Sequence, residues 1–353
     1  MSKAKSTAGN FFEDFRIGQV LQHATPRTLT EGDVALNIAF YGMRFAVQSS
    51  DHFAKAIGYP RAPIDDLIVF HVVLGKTVSD ISLNAVANLG YAEMRFLNPM
   101  FPGDSLSASS EVIGLRETSN KQAGVVYVRT KSINQHGKPI LDYARWVMVN
   151  KRDHAAKVGE AVVPKLDTRV DPATIGGAVP KLDLSAYDFA LAGSPHRWGD
   201  YEVGEKIDHI DGYTIEEAEH QLETRLYQNT ARVHFNLHEQ IEKGRFKKRL
   251  VYGGTPLSLA RGISFNGLAN AFHIAAINGG SHVAPSFAGD TIYAWSEVLE
   301  KAKIPGRSDV GALRVRLVGV KNRHCHDFPL KTVDGKYEDG VVLDLDWWLV
   351  LPR

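Results

Sequence analysis

The chain has 353 residues, of which 44% are hydrophobic, and its 41 lysines and arginines nearly balance its 40 aspartates and glutamates. This length predicts about two domains with enough apolar material for sizeable cores. The near-zero net charge gives no excess of basic residues of the kind that favours a nucleic-acid or anionic-membrane partner. Cys325 is the single cysteine, which excludes an internal disulfide and favours a reducing compartment.

The first ten residues, MSKAKSTAGN, are polar and contain no apolar core of a signal peptide. The longest apolar run, Leu67–Leu74, is interrupted by His71 and is shorter than the roughly 18 residues of a membrane span. We therefore expect a cytoplasmic protein.

The first elements in chain order are a short strand and a small helix that begins near Thr30. A long helix is predicted over Ile64–Ile81, and it is apolar on nearly all faces, as a buried helix is. Strands follow, among them Gly124–Thr130, and a strand that contains Trp146 closes this half.

The same order then repeats. Gly18 matches Gly204, and the segment Pro99–Asp104 matches Pro285–Asp290, in both cases 186 positions later. The second copy has a small helix that begins near Glu216, an apolar helix over Pro256–Ala275, an alternating strand at Leu313–Leu317 and a closing strand that contains Trp348. So many matches at one offset indicate a duplicated module.

Between the copies lies a stretch rich in Pro, Ala and Gly, which predicts an extended connector that is ordered by lying on another surface. The predicted organisation is a first module over residues 1–154, a connector over 155–195 and a second module over 196–353. The predicted fold is α+β, with two antiparallel sheets, each wrapped around one buried helix.

In the second copy an acidic, helix-prone run, Thr214–Arg225, ends at Gln228-Asn229-Thr230, which reads as a tight turn. Asn229 and His234 lie five residues apart in this turn. An amide and an imidazole at this spacing could hold and deprotonate a water molecule in a dry pocket. The alternative is a solvated turn with a capping asparagine and a histidine at the edge of the core.

These features resemble the MaoC-like double hotdog hydratases of enoyl-CoA thioesters. The family pattern is an Asp followed five residues later by His, ahead of a His-Gly sequence at the start of a helix. Asn229 and His234 take the first two places, and Tyr252-Gly253-Gly254 takes the third. In the first copy Met43 and Gln48 stand in the places of the acid and the histidine. The resemblance therefore implies that the first hotdog has a decayed site and the second is active.

A narrower resemblance is to mesaconyl-CoA (2-methylfumaryl-CoA) hydratases. It rests on three stretches of the first copy: residues 11–15 (FFEDF), 61–67 (RAPIDDL) and 83–93 (LNAVANLGYAE). This resemblance implies reversible addition of water to mesaconyl-CoA to give β-methylmalyl-CoA. It also implies an acyl-CoA thioester as the substrate and, by fold analogy, a homodimer.

Hydration of an enoyl thioester requires a polarised carbonyl, a base for the water and an acid for the α-carbon. The backbone N–H groups of Gly253 and Gly254, ahead of the apolar helix, could form the oxyanion hole. The alternative is a glycine pair that a turn with positive φ requires. His234 is the candidate base and acid, and Asn229 is expected to orient the water.

Two parts of this site are left open by the sequence. A second acid could assist His234, and the candidates are Asp65, Asp66, Glu217 and Glu239. The substrate carboxylate needs a cation, for which Arg232 is the first candidate and Arg261 the alternative. Asp65 and Asp66 are otherwise expected to cap the first apolar helix.

No cofactor or metal is predicted. His324-Cys325-His326 lacks a partner pair at metal-ligand spacing, and the Gly-rich run at Asn278–Ser281 lacks the elements of a nucleotide-binding loop. Two rival functions are an acyl-CoA thioesterase of the same fold and a non-catalytic acyl-CoA-binding module. The absence of an acid from Thr255 to Ala275 counts against the thioesterase.

Overall fold

The computed structural model describes residues 5–353. Met1–Ala4, the start of the polar N-terminal stretch, lie outside the described residues. The strands are β1 (Val20–Thr28), β2 (Ala85–Phe96), β3 (Ser105–Glu117), β4 (Ala123–Asn134), β5 (Pro139–Asn150), β6 (Lys206–Thr214), β7 (His273–His282), β8 (Thr291–Lys303), β9 (Val310–Lys321) and β10 (Val341–Pro352). The helices are α1 (Glu31–Tyr41), α2 (Ala46–Ser49), α3 (Asp51–Ala56), α4 (Asp66–Thr77), α5 (Glu217–Leu226), α6 (Leu237–Lys243), α7 (Gly254–Ile263) and α8 (Phe265–Leu268).

The ten strands form one antiparallel sheet in the order β1-β3-β4-β5-β2-β7-β10-β9-β8-β6. The first five strands belong to one sequence copy and the last five to the other. The two predicted antiparallel sheets are joined edge to edge into one, because β2 and β7 pair, with Tyr91 opposite Gly280 and Arg95 opposite Ala276. This pairing satisfies the backbone of two strands that would otherwise be open edges.

The two buried helices of the prediction are α4 and α7. Every residue of α4 from Leu67 to Thr77 is buried, and so is every residue of α7. Both contribute to one apolar core that also contains side chains of β2, β5, β7 and β10. The α+β architecture of a sheet wrapped around two buried helices is confirmed.

The predicted ends of these helices were less accurate. Asp65 caps α4 by accepting a hydrogen bond from the Leu67 N–H at 2.9 Å, and a π-helical turn, Val78–Ser82, follows α4. The second helix ends at Ile263 instead of Ala275, because Asn266 and Gly267 leave the helical conformation and β7 begins at His273.

The duplication is visible in the contacts between the halves. Tyr41 and Tyr227, which are equivalent in the repeat, meet hydroxyl to hydroxyl at 3.0 Å. Tyr227 also donates to Asn37 Oδ1 at 3.1 Å. Two equivalent residues can touch in this way only near an axis of approximate twofold symmetry, which therefore passes between α1 and α5.

The segment over residues 155–195 contains one short 3-10 turn, Pro172–Thr174, and one isolated bridge from Val162 to Leu115. Its apolar side chains pack against both halves: the Tyr187 ring lies 5.1 Å from that of Phe53, and Trp348 Nε1 donates to the Val170 carbonyl at 3.1 Å. As predicted, this extended segment is ordered by the surface on which it lies. No helix among residues 5–353 is long and apolar enough to cross a membrane.

Candidate active site

The turn that follows α5 is built around Asn229. The side chain is buried, with 4% of its surface exposed. Its Oδ1 accepts from the Ala231 N–H at 2.9 Å, while its own N–H donates to the Thr224 carbonyl at 3.0 Å. These bonds fix the turn and use the amide oxygen, so Nδ2 is the part of the side chain left for a ligand.

His234 ends the 3-10 turn Arg232–His234 and is buried. Its Nδ1 lies 2.8 Å from the Leu250 carbonyl oxygen. Because a carbonyl can only accept, Nδ1 carries the proton and Nε2 holds a lone pair. Burial lowers the pKa of His234 to about 4, although the bond to Leu250 opposes the shift. The imidazole is therefore neutral at physiological pH, with Nε2 able to accept a proton.

The glycine turn, Tyr252–Gly254, lies directly beside this histidine. The Leu250 N–H donates to the Val233 carbonyl at 3.1 Å, which ties the two segments together. The ring of His234 packs edge-on against Tyr252, with 5.7 Å between centroids. The two stretches singled out in the sequence are thus brought together.

Gly253 and Gly254 stand at the first turn of α7. Among residues 5–353 neither N–H has a protein acceptor. The alternative explanation of this pair, a requirement for positive φ, is wrong, because Gly253 has φ −60° and neither residue is left-handed. Glycine is required at both positions because a side chain would not fit. A Cβ on Gly253 would lie 2.8 Å from His282 Nδ1, and one on Gly254 would lie 2.5 Å from His71 Cε1.

These two histidines support the turn from both sides. His71 of α4 bonds Tyr252 Oη at 3.1 Å and Ser258 Oγ at 2.8 Å. His282 Nε2 lies 3.1 Å from Tyr91 Oη, and its Nδ1 is buried without a partner among the described residues. Burial lowers the pKa of His71 to about 3 and that of His282 to about 4. Sequence reasoning missed both, because their partners lie in the other half.

Glu223 on α5 is a further buried group that sequence reasoning missed. It is 2% exposed, and Thr255 Oγ1, in the first turn of α7, donates to its Oε2 at 2.6 Å. Burial raises the pKa of Glu223 to about 7, against the hydrogen bonds from Thr255 and Tyr41. The repeat could have drawn attention to Glu223, because Glu223 lies one helical turn before Tyr227, the residue that matches Tyr41 of the first copy.

The four acids considered in the sequence are all engaged elsewhere. Asp65 caps α4, Asp66 bonds His273 Nδ1 at 2.9 Å, Glu217 pairs with Arg249, and Glu239 accepts from Asn236. None of them bonds His234 among the described residues. Glu223 is the carboxyl that contacts the first turn of α7, through Thr255.

Arg232 is half-buried, and no carboxylate of residues 5–353 lies within 4.0 Å of its guanidinium. Its role stays a prediction. Arg261 lies on α7 against Phe45, with its guanidinium carbon 3.7 Å from the ring centroid. It therefore lies beside the first copy's turn and away from His234.

A depression of about 340 Å³ opens from the surface to Asn229 and is lined by Gln221, Arg225, Gln228, Asn229, Thr230 and Phe235. Water can reach the Asn229 turn through it. His324 and His326 lie in a turn that follows β9. Within residues 5–353 no group of three or more His, Cys, Asp or Glu side chains is arranged to hold a metal ion.

The fold and the site together define a MaoC-like double hotdog protein. A crystal structure of a MaoC domain protein dehydratase from Chloroflexus aurantiacus matches with a TM-score of 0.97 and 60% identity, over 99% of both chains. A Mycobacterium tuberculosis protein with a double hotdog fold matches 98% of this chain and 99% of its own with a TM-score of 0.69 and 24% identity, which supports the fold alone.

The sequence comparisons are more specific. The family model for mesaconyl-CoA hydratase matches residues 2–328. The β-methylmalyl-CoA dehydratase of Chloroflexus aurantiacus is 60% identical over 99% of both chains. The mesaconyl-CoA hydratase of Cereibacter sphaeroides is 56% identical over 99% of this chain and 100% of its own. The chain belongs to the mesaconyl-CoA hydratase family.

Proposed function

We propose that this protein is a hydro-lyase that reversibly adds water to mesaconyl-CoA to give β-methylmalyl-CoA. The proposal rests on 60% and 56% sequence identity to a β-methylmalyl-CoA dehydratase and a mesaconyl-CoA hydratase and on one arrangement of groups in the site. That arrangement is the neutral His234, with Nδ1 held by the Leu250 carbonyl and its ring against Tyr252, next to two unbonded main-chain amides.

The thioester carbonyl is the group that these amides are suited to bind. The N–H groups of Gly253 and Gly254 would donate to its oxygen at the positive end of α7. These two hydrogen bonds polarise the carbonyl and, through conjugation, the double bond, which makes the β-carbon electrophilic. As water adds, the oxygen takes the negative charge of an enolate, and the bonds from the amides strengthen.

The proton transfers then need only one imidazole. His234 Nε2 takes a proton from water as the oxygen of that water bonds to the β-carbon. The resulting imidazolium returns a proton to the α-carbon when the enolate collapses, so one H and one OH have been added across the double bond. Asn229 Nδ2 would orient the water from the other side. No cofactor takes part in these steps.

The first copy is suited to no such chemistry. Gln48, equivalent to His234, donates through Nε2 to the Phe272 carbonyl. The Asp65 carboxylate already occupies an amide at the start of α4. We therefore propose that residues 1–154 form a hotdog with a decayed site and that residues 196–353 form the active half, joined by the connector over 155–195.

Incubation with mesaconyl-CoA and with crotonyl-CoA tests this function. Loss of enoyl absorbance without release of free thiol is the expected result. Thiol release would identify a thioesterase instead, and binding of either thioester with neither change would identify a non-catalytic acyl-CoA-binding module.

The pH dependence of kcat/KM follows from the depressed pKa of His234. The neutral imidazole is the base, so activity is lost only as pH falls towards about 4, rather than near the ordinary value of about 6.5. We expect kcat/KM for hydration to stay flat from about pH 8 to pH 5 in Glu223→Gln, which lacks the buried carboxyl whose pKa is raised to about 7. Circular dichroism at each pH provides the control, because buried neutral histidines also favour unfolding in acid. A half-loss of activity near pH 6.5 in the folded variant would contradict this assignment.

A basic loop, defined here as Lys243–Arg249, leads directly into the glycine turn. Five of its seven residues are Lys or Arg, and all but Arg249 of these five are exposed. Lys248 Nζ lies 3.9 Å from the centroid of the Phe287 ring, and Phe246 packs edge-on against that ring at 5.2 Å. Cations beside the exposed Phe246 and the half-buried Phe287 suit a phosphorylated adenine nucleotide, which is the far end of coenzyme A.

Removing this charge should weaken binding of the whole thioester. We expect the double variant Lys247→Ala/Lys248→Ala to raise KM for mesaconyl-CoA by about 3- to 10-fold with kcat unchanged. A pantetheine thioester without the nucleotide should show no difference between the variant and the wild type. Arg61→Ala, at the position equivalent to Lys247, is the matched control. An equal rise in KM for the truncated substrate would contradict this placement of the nucleotide.

A cytoplasmic location and a homodimeric state are also proposed. They are supported by the single cysteine and by fold analogy. Sedimentation equilibrium would give the number of chains in the assembly.

A further inference from the structure

Arg145 on β5 is a buried cation without a carboxylate. It is 1% exposed, and among residues 5–353 no Asp or Glu oxygen lies within 4.0 Å of its guanidinium. Its Nη2 donates to Thr77 Oγ1 at 2.7 Å, its Nη1 lies 3.4 Å from Asn88 Oδ1, and its Nε has no partner. By contrast, Arg129 on the neighbouring strand bonds two carboxylates.

A buried charge left unpaired is costly, so a protein that keeps one in its core usually gives it a partner. Here the acceptors, Thr77 Oγ1 and Asn88 Oδ1, are uncharged and face the two Nη atoms only. Asn88 Nδ2 is buried without a partner among the described residues, like Arg145 Nε. These two unused donors suit an anion that the protein itself does not supply.

The position of Arg145 connects it to the thioester site. Arg145 lies directly opposite Tyr91 in the pairing of β5 with β2, so the two side chains share one face of the sheet. Tyr91 Oη bonds His282 Nε2 at 3.1 Å, and His282 Nδ1 lies 2.8 Å from where a Cβ on Gly253 would be. The contacts thus run from the arginine to the glycine turn through two side chains.

A second route reaches the Asn229 turn. Thr77, which holds Arg145, is the last residue of α4. The same end of α4 packs against that turn: a Cβ on Gly75 would lie 1.9 Å from the Tyr227 carbonyl oxygen and 3.2 Å from the Asn229 backbone nitrogen. Arg145 is therefore linked through neighbouring residues to both turns of the candidate site.

The repeat provides an internal comparison. Trp347 occupies the position equivalent to Arg145, and Ile277 the position equivalent to Tyr91. These two residues also lie opposite each other, in the pairing of β10 with β7. The equivalent pair in the second copy is therefore apolar, and the buried arginine beside the first copy's turn, Arg261, lies on α7 and packs on Phe45 and Trp347 instead.

We infer that Arg145 binds the free carboxylate of the dicarboxylic enoyl thioester, with Asn88 Nδ2 as a second donor, and so selects this substrate over monocarboxylic enoyl thioesters. This inference rests on the proposed function and assigns the carboxylate to Arg145 instead of Arg232. The carboxylate completes the hydrogen bonding of a buried guanidinium while the glycine amides hold the thioester at the other end of the substrate.

The test compares two substrates that differ in this carboxylate. In Arg145→Met, kcat/KM for mesaconyl-CoA should fall about a hundredfold or more relative to crotonyl-CoA, because one partner of a buried charge pair is removed. Arg145→Lys should restore part of the preference. Arg261→Met, the matched control with an equally buried arginine at the other site, should leave the ratio of the two substrates unchanged. Equal losses for both substrates in folded Arg145→Met would overturn the inference.

A binding measurement needs neither turnover nor a stable variant. The wild-type protein should bind succinyl-CoA at least tenfold more tightly than butyryl-CoA, and Arg145→Met should abolish that difference. Equal affinities in the wild type would overturn the inference even if the variants fail to fold. Failure of the proposed function would look different, because the wild type would then hydrate neither enoyl thioester whatever its binding preference.

Discussion

His234→Gln is expected to lower kcat for hydration of mesaconyl-CoA by about 10²- to 10⁴-fold, the usual contribution of a general base. Glutamine is the residue that the first copy carries at the equivalent position, Gln48. It can keep a hydrogen bond to a nearby carbonyl, as Gln48 does to Phe272, but it cannot accept the proton of water. The variant should therefore fold and bind thioester while losing turnover, which stopped-flow absorbance at saturating substrate would measure.

The reciprocal variant, Gln48→His, is the control. It places an imidazole in the first copy, where Asp65 occupies the helix amide, so no new activity should appear. Near-normal turnover in His234→Gln would remove His234 from the mechanism.

Gly254→Ala is expected to lower kcat by about 10²- to 10³-fold, which is the usual loss when one donor of an oxyanion hole is displaced. The added Cβ would lie 2.3 Å from Tyr252 Cε1 and 2.5 Å from His71 Cε1. His71 cannot easily move, because both of its ring nitrogens are bonded. The turn must therefore shift and carry the amides away from the thioester oxygen, with an additional destabilisation of about 1–3 kcal/mol from overpacking.

Gly262→Ala separates these two effects. Its Cβ would lie 2.2 Å from the Tyr41 carbonyl oxygen, so the steric conflict is comparable, but it arises at the far end of α7. We expect a similar fall in melting temperature with kcat per folded molecule near that of the wild type. If the two variants lost kcat equally, the special role of the amides at the start of α7 would be refuted.

Much of the fold could be predicted because the sequence contains two copies of the same module. Equivalent residues such as Tyr41 and Tyr227 revealed the duplication, and the apolar runs revealed the buried helices. The end of α7 could not be predicted, because an apolar run gives the same signal in a buried helix as in a buried strand. Gly267, at φ 107°, and Asn266 end the helical segment, and His273 then begins β7.

The candidate site could also be predicted only in part. The turn with Asn229 and His234 and the turn with Gly253 and Gly254 are short segments with recognisable spacing, so both could be named as candidates from the sequence. Their proximity was an expectation, and the structure shows it in two hydrogen bonds of Leu250, one from its N–H to the Val233 carbonyl and one between its carbonyl and His234 Nδ1.

The residues that were missed are linked by contacts across the chain. Tyr91 and His282 are 191 positions apart, and Glu223 and Thr255 are 32 apart. Arg145 carries no local motif, and its lack of a carboxylate is visible only once its neighbours are known. Spacing along the sequence does not report such contacts. Those of Tyr91 and Arg145 depend on the pairing of β2 with β5 and β7, and that of Glu223 depends on how α5 lies against α7.

Hydration in water enriched in oxygen-18 tests most directly whether this site adds water across the double bond. Mesaconyl-CoA should give a thioester heavier by one labelled water molecule, with the carbon–sulfur bond intact and the label in a hydroxyl group on the β-carbon. Label in a carboxylate, together with free coenzyme A, would show that water attacks the thioester carbonyl and would contradict the account.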